Sequence, residues 1–178
     1  DFYRELEPVG RLEIVGELAK RALDYYQRLP AELRSPETRR NQALALTRYA
    51  AVLLNQARND EARQMLDQAV PTLEALRKEG DASEAAAIGL ASGLVLQTRL
   101  RIGSPEALAM AERAVEILKP GAQAPNASVE VRRAYAVALT RLGLIQTRNS
   151  RNEAALVTLP AALEVLRGID NLQADNDA

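Results

Sequence analysis

The sequence contains no cysteine and no histidine, and aromatic residues make up only 3% of its 178 positions. Without cysteine the chain can form no disulfide, thiolate nucleophile or cysteine-ligated zinc site. Without histidine it lacks the side chain that most often acts as a general base or metal ligand. No carboxylate pair lies in an apolar run, and no glycine-rich phosphate loop follows a strand pattern. We therefore expect no catalytic residue, no cofactor and no metal site, and hence a protein that is not an enzyme.

The chain also lacks a sizeable net charge and any long apolar run. Lysine plus arginine number 23 against 24 aspartate plus glutamate, a formal charge of −1 that offers nucleic acid no overall attractive field. The longest weakly polar run, residues 85–96, is shorter than the about 20 residues that span a bilayer. The chain begins without Met, and residues 1–5 are not typical of a signal peptide. We therefore expect a fragment of a larger cytoplasmic protein, free or tethered through outside domains, with no nucleic-acid partner and no direct membrane insertion.

Alanine, leucine and valine supply most of the 47% hydrophobic content, and they recur in one pattern. Apolar residues fall at i, i+4, i+7, i+8 and i+11, a stripe that predicts an amphipathic helix able to approach its neighbours closely. The four copies are Val15, Ala19, Ala22, Leu23 and Tyr26; Ala62, Leu66, Ala69, Val70 and Leu73; Ala107, Ala111, Ala114, Val115 and Leu118; and Ala155, Leu159, Ala162, Leu163 and Leu166. They start 47, 45 and 48 residues apart, a period typical of a solenoid. No segment alternates with period two, so the predicted fold class is all-α.

Cap and turn residues divide the chain into about seven helices. The prediction is a helical repeat domain over residues 1–168, with a half-unit at 4–29, units at about 37–79, 81–119 and 128–168, and a flexible acidic tail at 169–178. The half-unit is either the second helix of a unit that begins upstream or a cap. Asp81 with Glu84 is predicted to cap the fourth helix, and Gly168 to end the seventh.

Two segments carry a family resemblance. Leu142-Gly143 and Glu153-Ala154-Ala155 match the Leu-Gly of the first helix and the Glu-Ala-rich start of the second helix in tetratricopeptide repeats. Tyr49-Ala50 and Leu94-Val95 replace Leu-Gly in the first two units, and the period exceeds the family's length of about 34 residues, so longer helices or loops must absorb the difference. The resemblance implies a right-handed α-solenoid of antiparallel helix pairs.

The lead-in at residues 6–30, LEPVGRLEIVGELAKRALDYYQRLP, resembles arrays in large bacterial signalling proteins, where similar repeats follow a STAND-type NTPase or a serine/threonine kinase domain. In such arrays the first helices of successive units line a groove that commonly binds peptides. The resemblance therefore implies a protein- or peptide-interaction or sensor module of a signalling protein. The alternative is a structural solenoid that packs on a catalytic domain of the same chain or forms a homodimer through its ends.

Groove-facing positions follow from the family's pattern. They are Thr47, Arg48, Ala51 and Asn55 in the first unit, Ser92, Leu96 and Arg99 in the second, and Thr140, Arg141, Leu144 and Arg148 in the third. Arginine can pair with a carboxylate through two hydrogen bonds, and asparagine or threonine can bond to a peptide backbone. The alternative interpretation is that the arginines are solvated surface charges. For the doublets Arg39-Arg40 and Arg132-Arg133 at helix starts, we favour surface charge over anion contacts.

Overall fold

Six bounded helices account for most of the chain. The computed structural model describes residues 17, 20–21, 23–26, 28–30 and 35–176, with side chains described as far as residue 169. The helices are α1 (Pro36–Asn55), α2 (Asn59–Lys78), α3 (Glu84–Leu100), α4 (Pro105–Ala122), α5 (Val129–Arg148) and α6 (Asn152–Asn176). Helical residues also occur within 17–28, and no described residue lies in a strand. The prediction of an all-α fold is therefore confirmed over this part of the chain.

The predicted N-terminal half-unit at residues 4–29 lies mostly outside the described residues, as do the stripe positions Val15, Ala19 and Ala22. Of the remaining stripe positions, Leu23 is 5% exposed and Tyr26 is half-buried. These two positions have the burial expected of an apolar helix face.

Residues 1–82 form one compact unit, in which α1 packs against α2. The stripe of α2 is buried along its whole length, and Leu66 and Leu73 have no exposed surface. Small side chains fill the remaining positions, since Ala50 on α1 and Ala62 and Ala69 on α2 are also inaccessible. Close packing of two helices through alanine explains how a core with so few aromatic residues can form.

Residues 83–178 form the second unit. Here α4 packs against both α3 and α5, α5 packs against α6, and α3 contacts α5 directly. One core cluster lies between α4 and α5 and comprises Ala107, Leu108, Ala111, Leu142 and Ile145, with the partly buried Val115 beside it. The packing of α3 beside α5 brings together the helices that carry the predicted site residues of this unit.

A serine caps the N-terminus of each of α1, α3 and α5. Ser35, Ser83 and Ser128 accept hydrogen bonds from the backbone N–H groups of Thr38, Ala86 and Val131. Such caps satisfy one of the unpaired donors at a helix start. The predicted capping role of Asp81 with Glu84 is wrong, because Ser83 is the cap of α3. Asp81 instead pairs with Arg40 at 3.1 Å within the first unit.

The turns between α1 and α2, between α3 and α4, and between α5 and α6 each contain a residue with positive φ. Ala57, Gly103 and Ser150 all have positive φ, at 59°, 84° and 58°. After two of them the next backbone N–H reaches back to the preceding helix, from Arg58 to the carbonyl of Leu53 at 2.9 Å and from Arg151 to that of Gln146 at 2.8 Å. This is the left-handed closure that commonly ends helices, and glycine adopts it with least strain.

The last helix departs from expectation in its length and its burial. It continues through Gly168 to Asn176, where the sequence predicts an end at Gly168 and a flexible tail. Ile169, which follows the glycine, is 3% exposed, so continuing the helix buries an apolar side chain. On its stripe Ala155 and Ala162 are buried, whereas Leu163 and Leu166 remain exposed.

Candidate functional site

In the first unit the predicted groove residues have different environments. Thr47 is 5% exposed, and its hydroxyl donates to the carbonyl of Ala43 at 2.9 Å within α1. Arg48 and Asn55 lie on the surface of the same helix. A partner in contact with this unit would therefore reach Arg48 and Asn55, whereas the hydroxyl of Thr47 already has a backbone acceptor.

In the second unit the predicted residues lie on the adjacent helices α3 and α5. Ser92 is half-buried and Arg99 is exposed on α3. Thr140 is exposed on α5, and its hydroxyl donates to the carbonyl of Ala136 at 2.8 Å. Arg141 and Arg148 lie on α5 two turns apart, which places them on the same face of the helix.

Arg141 is held in place by a residue that the sequence pattern does not single out. Its Nε donates to Oγ1 of Thr98 at 2.5 Å, and that hydroxyl donates in turn to the carbonyl of Val95 at 2.6 Å. Thr98 has no exposed surface, so this anchor is rigidly packed. Two hydrogen bonds in series therefore fix the guanidinium against α3.

The positive charge of Arg141 is not neutralised locally. Among the described residues no carboxylate forms an ion pair with it. Burial lowers the pKa of its guanidinium from the ordinary value, and the neighbouring charges of Arg148 and then Arg99 lower it further. An arginine nevertheless stays protonated at neutral pH. The result is a half-buried cation beside two others, an arrangement that favours an anion.

An apolar cavity of about 250 Å³ adjoins Arg141. It is lined by Val95, Ala136, Val137, Thr140, Arg141, Leu144 and Leu166. Val137 and Leu144 are about half exposed, at 53% and 47%, although both are large hydrophobic side chains. The family's groove-facing offsets include Thr140, Arg141 and Leu144 but not Val95, Val137 and Leu166, which only the packing of α3, α5 and α6 brings to this cavity.

A second, much smaller cavity of about 10 Å³ shares Arg141 and Leu144 with the first. Thr98, Arg148 and Asn149 also line it. This volume is about that of a single water molecule. The guanidinium of Arg141 thus lines both the apolar cavity and a small recess of mixed character, in which Arg148 and Asn149 lie beside apolar residues such as Ile102 and Ile145.

A third cavity, of about 410 Å³, lies on a different surface of the same unit. Thr147 of α5 and residues of α6 line it, among them Leu156, Leu159, Pro160 and Leu163. Leu156 and Val157 are 75% and 73% exposed. No arginine or carboxylate lines this cavity, so it offers apolar contact without charge.

The arginine doublets do not converge on a site. Arg39 forms an ion pair with Glu79 at 2.5 Å and Arg40 pairs with Asp81, both within the first unit. The Nε of Arg132 donates to the backbone carbonyl of Ala127 at 3.3 Å. The interpretation of the doublets as surface charge is wrong for Arg40, because the side chains of Arg40 and Asp81 are only 23% and 13% exposed and form a partly buried ion pair.

Comparison with known proteins finds no match: no family model, no curated protein and no solved structure matches the chain. Over the described residues, no cluster of three or more aspartate or glutamate side chains is arranged to hold a metal ion. None of the described helices has both the length and the apolar character needed to cross a membrane.

Proposed function

We propose that the chain is a protein- or peptide-interaction module, built as a right-handed α-solenoid of the tetratricopeptide type within a larger signalling protein. The recurrence of the serine caps and of the positive-φ turns supports a structural repeat. In the second unit, α3 and α5 lie side by side with the same polarity. Ser128 donates to Glu84 at one end, and Arg141 donates to Thr98 further along. Parallel first helices are what a solenoid of helix pairs requires.

The observation that carries this proposal is the cavity of about 250 Å³ with Arg141 at its edge. Its floor is apolar, with Val95, Ala136 and Leu144, and Thr140 contributes to its rim. The volume is below the about 300–1,000 Å³ typical of small-molecule pockets. It suits one apolar side chain of a peptide, whose backbone or carboxylate would then pair with the guanidinium.

Selection from a displayed library of random peptides tests the proposal, followed by fluorescence polarisation with the purified chain. We expect the enriched peptides to share an apolar anchor, and Leu144→Asp to weaken their binding by about tenfold or more, because it places a charge in the apolar cavity. The matched control is Leu156→Asp on the surface of the third cavity, which should leave binding unchanged. Circular dichroism would verify that both variants are folded.

Three results would overturn the proposal. The first is a library that yields no saturable binder. The second is an equal loss of binding in Leu144→Asp and Leu156→Asp, which would indicate a non-specific apolar contact. The third is full binding in Leu144→Asp. The cytoplasmic location that we expect for such a module would be tested separately, by imaging a tagged full-length protein.

A second candidate function is structural, and the exposed face of α6 favours it. Leu156, Val157 and Leu163 stand on a helix surface beside a cavity of about 410 Å³. Contiguous apolar surface of this kind commonly marks an interface with a second copy or with another domain. If it is a homodimer interface, light scattering at micromolar concentration should report a dimer that Leu156→Asp converts to a monomer. A wild-type chain that is monomeric there would argue against the homodimer.

A further inference from the structure

We propose that Arg141 and Arg148 form a recognition site for a phosphate monoester carried by a peptide, with an apolar group of the same peptide in the adjoining cavity of about 250 Å³. This inference rests on the proposed peptide-binding function and names the chemistry of the peptide.

The site joins a small recess to the apolar cavity. Arg141 and Leu144 line both the apolar cavity and the small recess, so the two are adjacent. A ligand that pairs with the guanidinium groups and also fills the apolar cavity must therefore carry an anionic group beside an apolar one. The recess itself admits about one water molecule, so the anion would lie at its mouth.

The two arginines can present several hydrogen-bond donors to a ligand. The Nε of Arg141 is occupied by Thr98, which orients the planar guanidinium and leaves its two terminal nitrogens for a ligand. Arg148 lines the same recess, and the described residues include no ion-pair partner for it. Asn149 adds an amide at the edge of the recess. Two guanidinium groups and an amide provide several donors for the oxygens of one anion.

The positive charge of the site exceeds what one carboxylate can neutralise. Arg141 and Arg148 together carry two positive charges, and burial, the charge of Arg148 and then that of Arg99 lower the pKa of Arg141 without removing its proton at neutral pH. A single carboxylate would neutralise only one of them. A phosphate monoester carries about −1.5 to −2 charges at neutral pH and three acceptor oxygens. Its charge and its acceptors therefore match the site better than those of a carboxylate.

The experiment compares small probes first, by titration calorimetry or by the arginine Nε–H signals in nuclear magnetic resonance spectra. The probes are phenyl phosphate, inorganic phosphate and benzoate. We expect phenyl phosphate to bind at least about tenfold more tightly than benzoate, because only the first neutralises both guanidinium groups, and more tightly than inorganic phosphate, because its ring fills the apolar cavity. Equal binding of phenyl phosphate and benzoate would overturn the assignment.

Variants on α5 separate a specific site from general surface charge. Arg148→Gln removes an exposed side chain and is not expected to unfold the chain, and it should weaken phenyl phosphate binding by about five- to tenfold. Arg133→Gln is the matched control, because it removes the same charge from an exposed position of the same helix. Equal losses in the two variants, or no loss in Arg148→Gln, would contradict the proposal.

A final arm tests the source of the phosphate. One peptide selected from the library is prepared with tyrosine, with phosphotyrosine and with phosphoserine next to its apolar anchor. We expect one phosphorylated form to bind at least about tenfold more tightly than the unphosphorylated form, with the gain lost in Arg148→Gln. If the peptides bind through Leu144 but phosphate adds nothing, this inference fails and the interaction function stands. If phenyl phosphate binds through Arg148 but no peptide binds, the peptide as its source fails together with the interaction function.

Discussion

Helices α4 and α6 carry the same apolar stripe and bury it to very different extents. On α4, Leu118 is 1% exposed, whereas Leu166 at the matching position of α6 is 38% exposed. The preceding position differs in the same direction, since Val115 is partly buried against a core cluster and Leu163 is 55% exposed. The alanine positions do not differ, because they are buried in both helices.

The difference between the two helices follows from their neighbours. Helix α4 packs against α3 on one side and α5 on the other, whereas α6 packs against α5. The core cluster between α4 and α5 contains Ala107 and Ala111 of the α4 stripe, with Val115 beside it, and α3 also packs against α4. The apolar stripe in the sequence therefore shows which residues a helix can bury. How many of them are buried depends on the number of helices that pack against it. The exposed part of α6 is therefore surface that the other described helices leave uncovered.

The largest effect should come from shortening the same stripe position in the two helices. We expect Leu118→Ala to reduce the free energy of unfolding by about 2–5 kcal/mol, because it leaves a cavity in a closely packed core. Leu166→Ala should cost less than about 1 kcal/mol, since its side chain is already partly in water. Urea denaturation followed by circular dichroism measures both. Similar costs for the two variants would mean that α6 is covered as α4 is.

Substituting alanine for two glycines should change the free energy of unfolding by smaller amounts and in opposite directions. Gly143 lies where α5 packs against α6, and Gly168 lies at an open position of α6. A Cβ at Gly143 of α5 would lie 2.6 Å from Cγ of Leu159, so Gly143→Ala should cost about 1–3 kcal/mol through overpacking. A Cβ at Gly168 of α6 meets no atom within 4 Å, so Gly168→Ala should stabilise the helix by about 0.5–1 kcal/mol. Thermal unfolding of the two variants checks both signs, and a stabilising Gly143→Ala would contradict the close approach of α5 and α6.

Substitutions at the positive-φ residues before α4 and α6 should change the free energy of unfolding by about 1 kcal/mol. Gly103 has φ of 84° and Ser150 has φ of 58°. Alanine is strained in that region, so Gly103→Ala should destabilise the chain by about 1–2 kcal/mol, whereas Ser150→Gly should relieve the same strain and stabilise it by up to about 1 kcal/mol. Ser104→Gly, at a neighbouring position with φ of −84°, is the control and should not be stabilising. A loss of stability in Ser150→Gly would be the contrary result.

The helix starts are predictable from the sequence because their signals are local. Ser104-Pro105 and Ser128 each mark a start at the residue that follows the serine, whereas Ser35-Pro36 is predicted as a linker after the first helix and in the structure begins α1. The cap of α3 is not predictable in this way, since Asp81 and Ser83 are both good caps; in the structure Ser83 caps the helix and Asp81 pairs with Arg40, 41 residues away. The end of α6 is missed for a related reason.

Gly168 has the local chemistry of a helix end, but the cost of a glycine in a helix, about 1 kcal/mol, is less than the gain from burying an apolar side chain such as Ile169. The candidate site divides in the same way. Arg141 and Arg148 are predicted from the groove-facing positions of the family that the sequence resembles. Thr98 comes from the preceding helix pair, 43 residues away, and only packing shows that it holds Arg141.

The smallest effect on stability should come from the exposed stripe position of α6. We expect Leu163→Ser to change the free energy of unfolding by no more than about 0.5 kcal/mol, because a side chain that is 55% exposed loses little contact. The counterpart is Val115→Ser on α4, which places a hydroxyl against the buried cluster and should cost about 1–3 kcal/mol. Denaturation of both variants at low protein concentration gives these values for the isolated chain.

The same pair of variants distinguishes an open face from a covered one when the protein concentration is raised. If a second copy covers α6, the wild-type chain should gain stability with concentration, since dissociation is then coupled to unfolding, and Leu163→Ser should abolish that dependence. Val115→Ser should keep it, because its side chain lies inside the unit. A midpoint of denaturation that is independent of concentration in all three proteins would exclude the second copy and leave the face of α6 to a different partner.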